Sequence, residues 1–270
     1  MKSLVIKLSA LAIASAASFG AHALVAFDQN VTNNVITGSG IANGGFTRDT
    51  ANGVEIGLRA RERHDLTSDS PSDVTGSQGN GKYNQNAGEP LGFGGAGQNR
   101  ARWNFDWSIN TGTAAVSAYT YRLGMDFNAG FGTNYQMFDL INGVNPNPSA
   151  GGLALWDHSF GNNGTSESAG IEATGGTLAA ALNDYNNLKS QNNLVQNSWN
   201  YDFFDAVFPF DPTVSGQYSI FLEAIGTNGV VARSSIDVIV GAGAVPEPAS
   251  LALVGLALAG LAAVGSRKAR

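Results

Sequence analysis

"YSIFLEAIGTNGVVARSSIDVIV", Tyr218–Val240, holds two alternating runs around one turn. Tyr218, Ile220, Leu222 and Ala224 recur at every second position, and beyond Gly226-Thr227-Asn228-Gly229 so do Val230, Ala232, Ser234, Ile236, Val238 and Val240. Neighbouring side chains of a strand point to opposite faces, so period two with one apolar set reads as two half-buried strands. The Gly-Thr-Asn-Gly connection is a hairpin signal.

The same alternation recurs upstream. Val54, Ile56, Leu58 and Ala60 interleave with Glu55, Gly57, Arg59 and Arg61. Trp103, Phe105, Trp107 and Ile109 interleave with Asn104, Asp106, Ser108 and Asn110. Tyr121, Leu123, Met125 and Phe127 do so with Arg122, Gly124, Asp126 and Asn128. Several such strands without long helices between them predict an all-β fold, an antiparallel β-sandwich in which each sheet buries one side. One segment breaks the pattern: in Leu178–Val195, residues Leu178, Ala181, Leu182, Tyr185 and Leu188 fit helical spacing. It predicts about one helix, crossing an edge or end of the sandwich. Residues 67–99 hold almost no large apolar side chain and are dense in Gly, Ser, Asn and Asp, which reads as a long polar surface loop or local disorder. No fixed-period repeat interrupts what reads as one domain over residues 24–244.

Both termini read as targeting segments. Residues 1–23 place Lys2 and Lys7 before an apolar stretch from Leu8 to Phe19 and end in Ala21-His22-Ala23. That is the positive, apolar and small-x-small order of a secretory signal peptide cut after Ala23 by signal peptidase, with general secretion machinery as partner. A retained signal anchor is the alternative, although the apolar run falls short of the ~18 residues a spanning helix needs. Five of the 15 basic residues and one of the 21 acidic residues lie in the terminal segments, which leaves 10 against 20 and a net charge of −10 on the domain. Such a surface repels nucleic acid and anionic lipid. The absence of cysteine excludes thiol nucleophiles, zinc ribbons and iron–sulfur clusters.

At the other end, Ala249–Gly265 is Ala, Leu, Val or Gly throughout except Ser250. Seventeen residues make about 25 Å of helix, close to the ~30 Å hydrocarbon core once Arg267 and Lys268 snorkel. This predicts a single transmembrane helix over 249–265, and Arg267, Lys268 and Arg270 orient its C-terminus to the cytoplasm. The signal peptide independently puts the domain outside. Before the helix stands Pro246-Glu247-Pro248. Proline removes an N–H and disfavours helix in the residue before it, so Val245 and Glu247 are pushed into extended backbone, the form that proteases and transpeptidases grip.

Residues 245–270, with that motif, one apolar run and a basic end in order, resemble the PEP-CTERM sorting signal of Gram-negative exopolysaccharide producers. The resemblance implies recognition by a membrane-embedded exosortase, transient inner-membrane insertion, removal of the tail near Pro246, Glu247 and Pro248, and delivery to the outer surface or extracellular matrix, with exopolysaccharide and biofilm as the setting. A permanent anchor is the plainer alternative. A glycolipid-anchor signal would end apolar, which Ser266–Arg270 does not. Gly255, Ala259 and Ala263 fall on one helical face, a spacing that permits close helix approach and that chance also produces in so Ala- and Gly-rich a run. More loosely, "FDPTVSGQY" (Phe210–Tyr218) before the last hairpin resembles the terminal portion of β-rich proteins carrying this tail.

Candidates for chemistry are few. His158 lies beside Asp157 and Ser159, but adjacent strand residues diverge and cannot converge as a relay, so a structural or solvated histidine is expected. His64 lacks metal-ligand spacing. Asp202, Asp205 and Asp211 suit turn and cap roles, with a calcium site or glycosidase pair as the alternative. Asp69 and Asp73 serve solubility. Arg59, Arg61 and Arg63, near Glu55, Glu62 and Asp65, read as a solvated face with local ion pairs, or as a binder of acidic polysaccharide. Trp103, Trp107, Trp156 and Trp199 fit a core better than a sugar-stacking platform. No cofactor or metal is expected. These readings point to an exported, non-enzymatic surface or matrix protein. A carbohydrate-binding or calcium-dependent adhesion module and a secreted polysaccharide hydrolase are the alternatives.

Overall fold

The computed structural model describes residues 25–33, 43–63, 75–90, 99–130, 132–142, 158–166 and 169–241. The expected hairpin is its longest pairing. Strand β10 (Gly216–Gly226) runs antiparallel to β11 (Gly229–Val240) around Thr227 and Asn228. The alternation slips once. Ala224 pairs Ala232 while Ile225 pairs Val230, so Val231 is an extra residue, a bulge that turns Val230 off the core face to 51% exposure.

The remaining strands are β1 (Ala26–Gln29), β2 (Phe46–Ala51), β3 (Val54–Glu62), β4 (Lys82–Gln85), β5 (Trp103–Asn110), β6 (Thr120–Asp126), β7 (Tyr135–Phe138), β8 (Ser159–Gly161) and β9 (Leu194–Trp199). They form a six-stranded sheet of order β1-β2-β3-β5-β9-β8 and a five-stranded sheet of order β4-β11-β10-β6-β7. One buried cluster joins Ile56, Leu58, Trp103 and Trp107 of the first sheet to Leu123, Ile220, Leu222 and Ile236 of the second. That shared core makes the two sheets a sandwich.

Two expectations need correction. The sandwich is not wholly antiparallel, because β4 pairs β11 in parallel. And β4 lies within the stretch read as a long polar loop. Its Tyr83 is fully buried, sharing a hydrogen bond of 2.9 Å with the Thr47 hydroxyl and donating to the Gly45 carbonyl at 2.8 Å. Burial pushes that phenol up to about 12. A four-residue strand with one large side chain is too short for periodicity to register against its polar surroundings.

Helix α1 (Leu178–Gln191) starts where Thr177 Oγ1 accepts from the Ala180 N–H at 3.2 Å. It stops short of the expected Val195. Asn192 donates to the Leu188 carbonyl from its backbone N–H (3.0 Å) and from its side chain (2.8 Å), after which Leu194 and Val195 enter β9. The helix lies against the turn Val116–Ala118 at the end of the sandwich, burying Ala181 and Tyr185. Leu178 and Leu182, counted on its apolar face, are exposed.

Candidate functional site

The C-terminal strand brings the chain to its tail. Gly241, the last described residue, donates its N–H to the Gln85 carbonyl at 2.8 Å, so the sheet is closed up to this point. Five residues on begins Pro246-Glu247-Pro248. This motif, the apolar run 249–265, the charges Arg267, Lys268 and Arg270, and the expected signal peptide with Ala21 and Ala23 all lie outside the described residues. Among the described residues no helix is long and apolar enough to cross a membrane. Residues 244–268 match the PEP-CTERM protein-sorting motif.

The chain carries a PEP-CTERM sorting signal.

No curated protein and no solved structure matches the chain. The match takes in the Pro-Glu-Pro triplet, the apolar run, Arg267 and Lys268, and a PEP-CTERM motif implies export, membrane-anchored transit and processing by an exosortase. What the domain ahead of the PEP-CTERM signal can do must be read from its own side chains.

The arginines of β3 depart most from expectation. Arg59 is 3% and Arg61 0% exposed, so they present no solvated or polymer-binding face. Arg59 stands directly opposite Asp106 of β5. Its Nε donates to Asp106 Oδ2 at 2.7 Å, and Arg61 Nε donates to the same oxygen at 2.9 Å. Arg59 Nη1 donates to the Gly44 carbonyl at 2.5 Å, and its guanidinium lies 4.5 Å above the Phe46 ring. Burial alone raises the Asp106 carboxyl, but Arg61 and Arg59 together with a Ser198 hydrogen bond outweigh it and hold the group below its ordinary value. Glu55 takes the Thr32 backbone N–H and hydroxyl, both at 2.7 Å, and pairs Arg48 at 3.2 Å; Glu62 pairs Arg102. Asp65 lies outside the described residues, and Arg63 donates its N–H to the Arg102 carbonyl. Sequence reasoning missed this cluster. Asp106 between Phe105 and Trp107 was its one available signal, a charge inside the most aromatic strand.

His158 is a core histidine. Its Nδ1 lies 2.7 Å from the Tyr185 hydroxyl, which donates its single proton to the Ile141 carbonyl at 3.0 Å. The hydroxyl therefore accepts from Nδ1–H, which fixes the tautomer. Trp107 meets the imidazole edge-on at 5.1 Å, and burial pulls its pKa down to about 3. Ser159 is buried beside it; Asp157 and His64 lie outside the described residues.

The aspartates of the β9–β10 connection are engaged locally. Asp202 pairs Arg100 at 2.7 Å; burial raises its pKa, against the pull of Arg100. Asp205 accepts from the Phe210 N–H and the Asn99 amide, both at 3.0 Å. Asp211 accepts from the Thr213 N–H (2.9 Å) and hydroxyl (2.6 Å), a turn bond that lowers its pKa. Asp211 takes the turn role expected, whereas Asp202 and Asp205 tie this connection to Arg100 and Asn99 across the fold. Among the described residues no group of three or more His, Cys, Asp or Glu is placed to hold a metal ion. Asp69 and Asp73 lie outside those residues, as does Trp156. The other tryptophans are core. Trp103, Trp107 and Trp199 are each 1% exposed; Trp199 packs on Trp107 and Phe105, and Trp103 on Tyr201 and Tyr218.

Proposed function

We propose that this chain is an exported, non-enzymatic component of the cell surface or extracellular matrix, handed over by exosortase cutting at its tail and associated there with exopolysaccharide. The PEP-CTERM signal, whose Pro-Glu-Pro triplet starts five residues beyond a closed sheet, carries the reading. The side chains support it. Among the described residues, Asp211 is engaged in a turn bond, Asp106 with Arg59 and Arg61 in an internal ion-pair cluster, and His158, Trp103, Trp107 and Trp199 in the aromatic core. Function then resides in where the sandwich is delivered and in its acidic surface, which keeps it dispersed.

Replacing Glu247 with Gln removes the charge between the two prolines and leaves the domain untouched. The full-length E247Q precursor is expected to stay in the membrane fraction while wild type leaves it. Unchanged export and destination of E247Q would refute the reading.

A further inference from the structure

Gly241 fixes where the tail leaves the sandwich. Its backbone is left-handed (φ 76°), and a Cβ there would run into Ser215. Ser215 also lines an open pocket of about 440 Å³, together with Phe127, Pro209, Val214 and Tyr218. Pocket and take-off point are therefore side by side. The loops around them are tied down: Gly88 donates to the Pro212 carbonyl at 2.7 Å and Gln217 to the Ala129 carbonyl at 3.4 Å.

This end also presents apolar side chains to solvent. Val214 on the pocket wall is 44% exposed, and Val207, earlier in the same connection, is 51% exposed. Phe208, next to Val207 in the chain, stacks at 5.1 Å on Phe127 of the pocket wall. Covalent geometry then limits the distance to any processing enzyme. Five residue steps from Gly241 to Pro246 span at most about 18 Å even fully extended, roughly the width of a five-stranded sheet. An enzyme gripping the Pro-Glu-Pro backbone works within that distance of this end of the sandwich.

We propose that this end, the pocket between the 127–130 and 209–215 loops with Val207 and Val214 beside it, docks on the extracytoplasmic face of the membrane-embedded processing enzyme, an apolar side chain of which enters the pocket. The proposal rests on the reading of the tail given above. Recognition is then two-point: motif and folded face reinforce each other because a short linker keeps their mutual effective concentration high.

The test follows precursor conversion by pulse-chase in the native host for four full-length chains. Because both valines are exposed, V207E/V214E is expected to keep the wild-type melting temperature yet to be processed about tenfold more slowly. V230E, at the opposite hairpin tip, is expected to process at the normal rate. Eight Gly/Ser residues inserted after Gly241 are expected to slow conversion by diluting the second contact. Wild-type processing of V207E/V214E, or acceleration by the spacer, would overturn the proposal, the latter because the end then only obstructs. If protein recovered from the medium bound phosphatidylethanolamine–phosphatidylglycerol vesicles and lost that binding in V207E/V214E, lipid would be the occupant and the proposal would also fail. E247Q separates the two readings, since normal processing of E247Q defeats the tail reading itself, whereas blocked E247Q with normal V207E/V214E defeats only the docking face.

Discussion

On one side of β5, Trp103, Phe105, Trp107 and Ile109 meet aromatic and aliphatic groups; on the other, Asp106 meets two guanidiniums and Ser108 meets the Gln196 amide. All eight residues are buried. The inner side is held by area and close ring packing, which tolerate small displacements. The outer side is held by charge-assisted hydrogen bonds, which do not tolerate the loss of a partner. Period two says which side a residue takes. It does not say whether that side meets water, and in this molecule the polar side of β3 and β5 does not.

The largest expected effect comes from breaking the polar side. Asp106→Ala leaves Arg59 and Arg61 buried without the carboxylate they share and is expected to cost about 3–5 kcal/mol in urea unfolding. Trp107→Ala on the apolar side is expected to cost a similar ~3–5 kcal/mol through its cavity. What separates the two sides is rescue. Replacing the cluster together, Arg59→Met, Arg61→Met and Asp106→Leu, should return most of the loss, since no charge is then stranded. A triple variant as unstable as Asp106→Ala would mean that the cluster contributes net stability and that the contrast is misdrawn.

Acid sharpens the comparison next. His158 is neutral in the fold with a pKa near 3, against 6.5 in the unfolded chain, so between these values the unfolded state binds the extra proton. Its contribution to stability is complete above about pH 6.5 and declines as pH falls, by about 2 kcal/mol at pH 5. Asp106 has a depressed pKa, so its contribution persists below pH 5 and is lost only as pH falls through the folded value, under the ordinary 3.8. Unfolding free energies at pH 7 and pH 5 for wild type and His158→Phe should show the 2 kcal/mol drop only in wild type. An equal drop in both would assign the sensitivity elsewhere.

The smallest effect lies at the helix. Thr177→Ala removes one accepting oxygen from an exposed N-terminus and should cost about 1 kcal/mol, read as a shift of the urea midpoint. A shift as large as that of Asp106→Ala would mean that α1 is central to the core rather than packed on its end.

Alternation was enough to find the hairpin, β3, β5 and β6, and to place Trp103 and Trp107 inside, because those strands are long and one side is uniformly apolar. It could not find β4, where four residues give two periods at most, nor the bulge that turns Val230 outward. The helix was visible in its spacing, while its end was set by Asn192, whose capping bonds outweigh the apolar pair Leu194 and Val195 that continue as strand. The ion-pair cluster was hidden for a different reason. Asp106 is 45 or more residues from Arg59 and Arg61 across the β3–β5 ladder, and only the register makes them neighbours. The sorting signal needed no structure, since its three parts lie in one continuous stretch.

Intact-mass analysis of the protein from spent medium and from the envelope tests the central claim most directly. A mature chain beginning at Leu24 and ending near Pro246–Pro248 is the predicted result. A released or envelope-bound chain that still includes Leu251–Arg270 would contradict it.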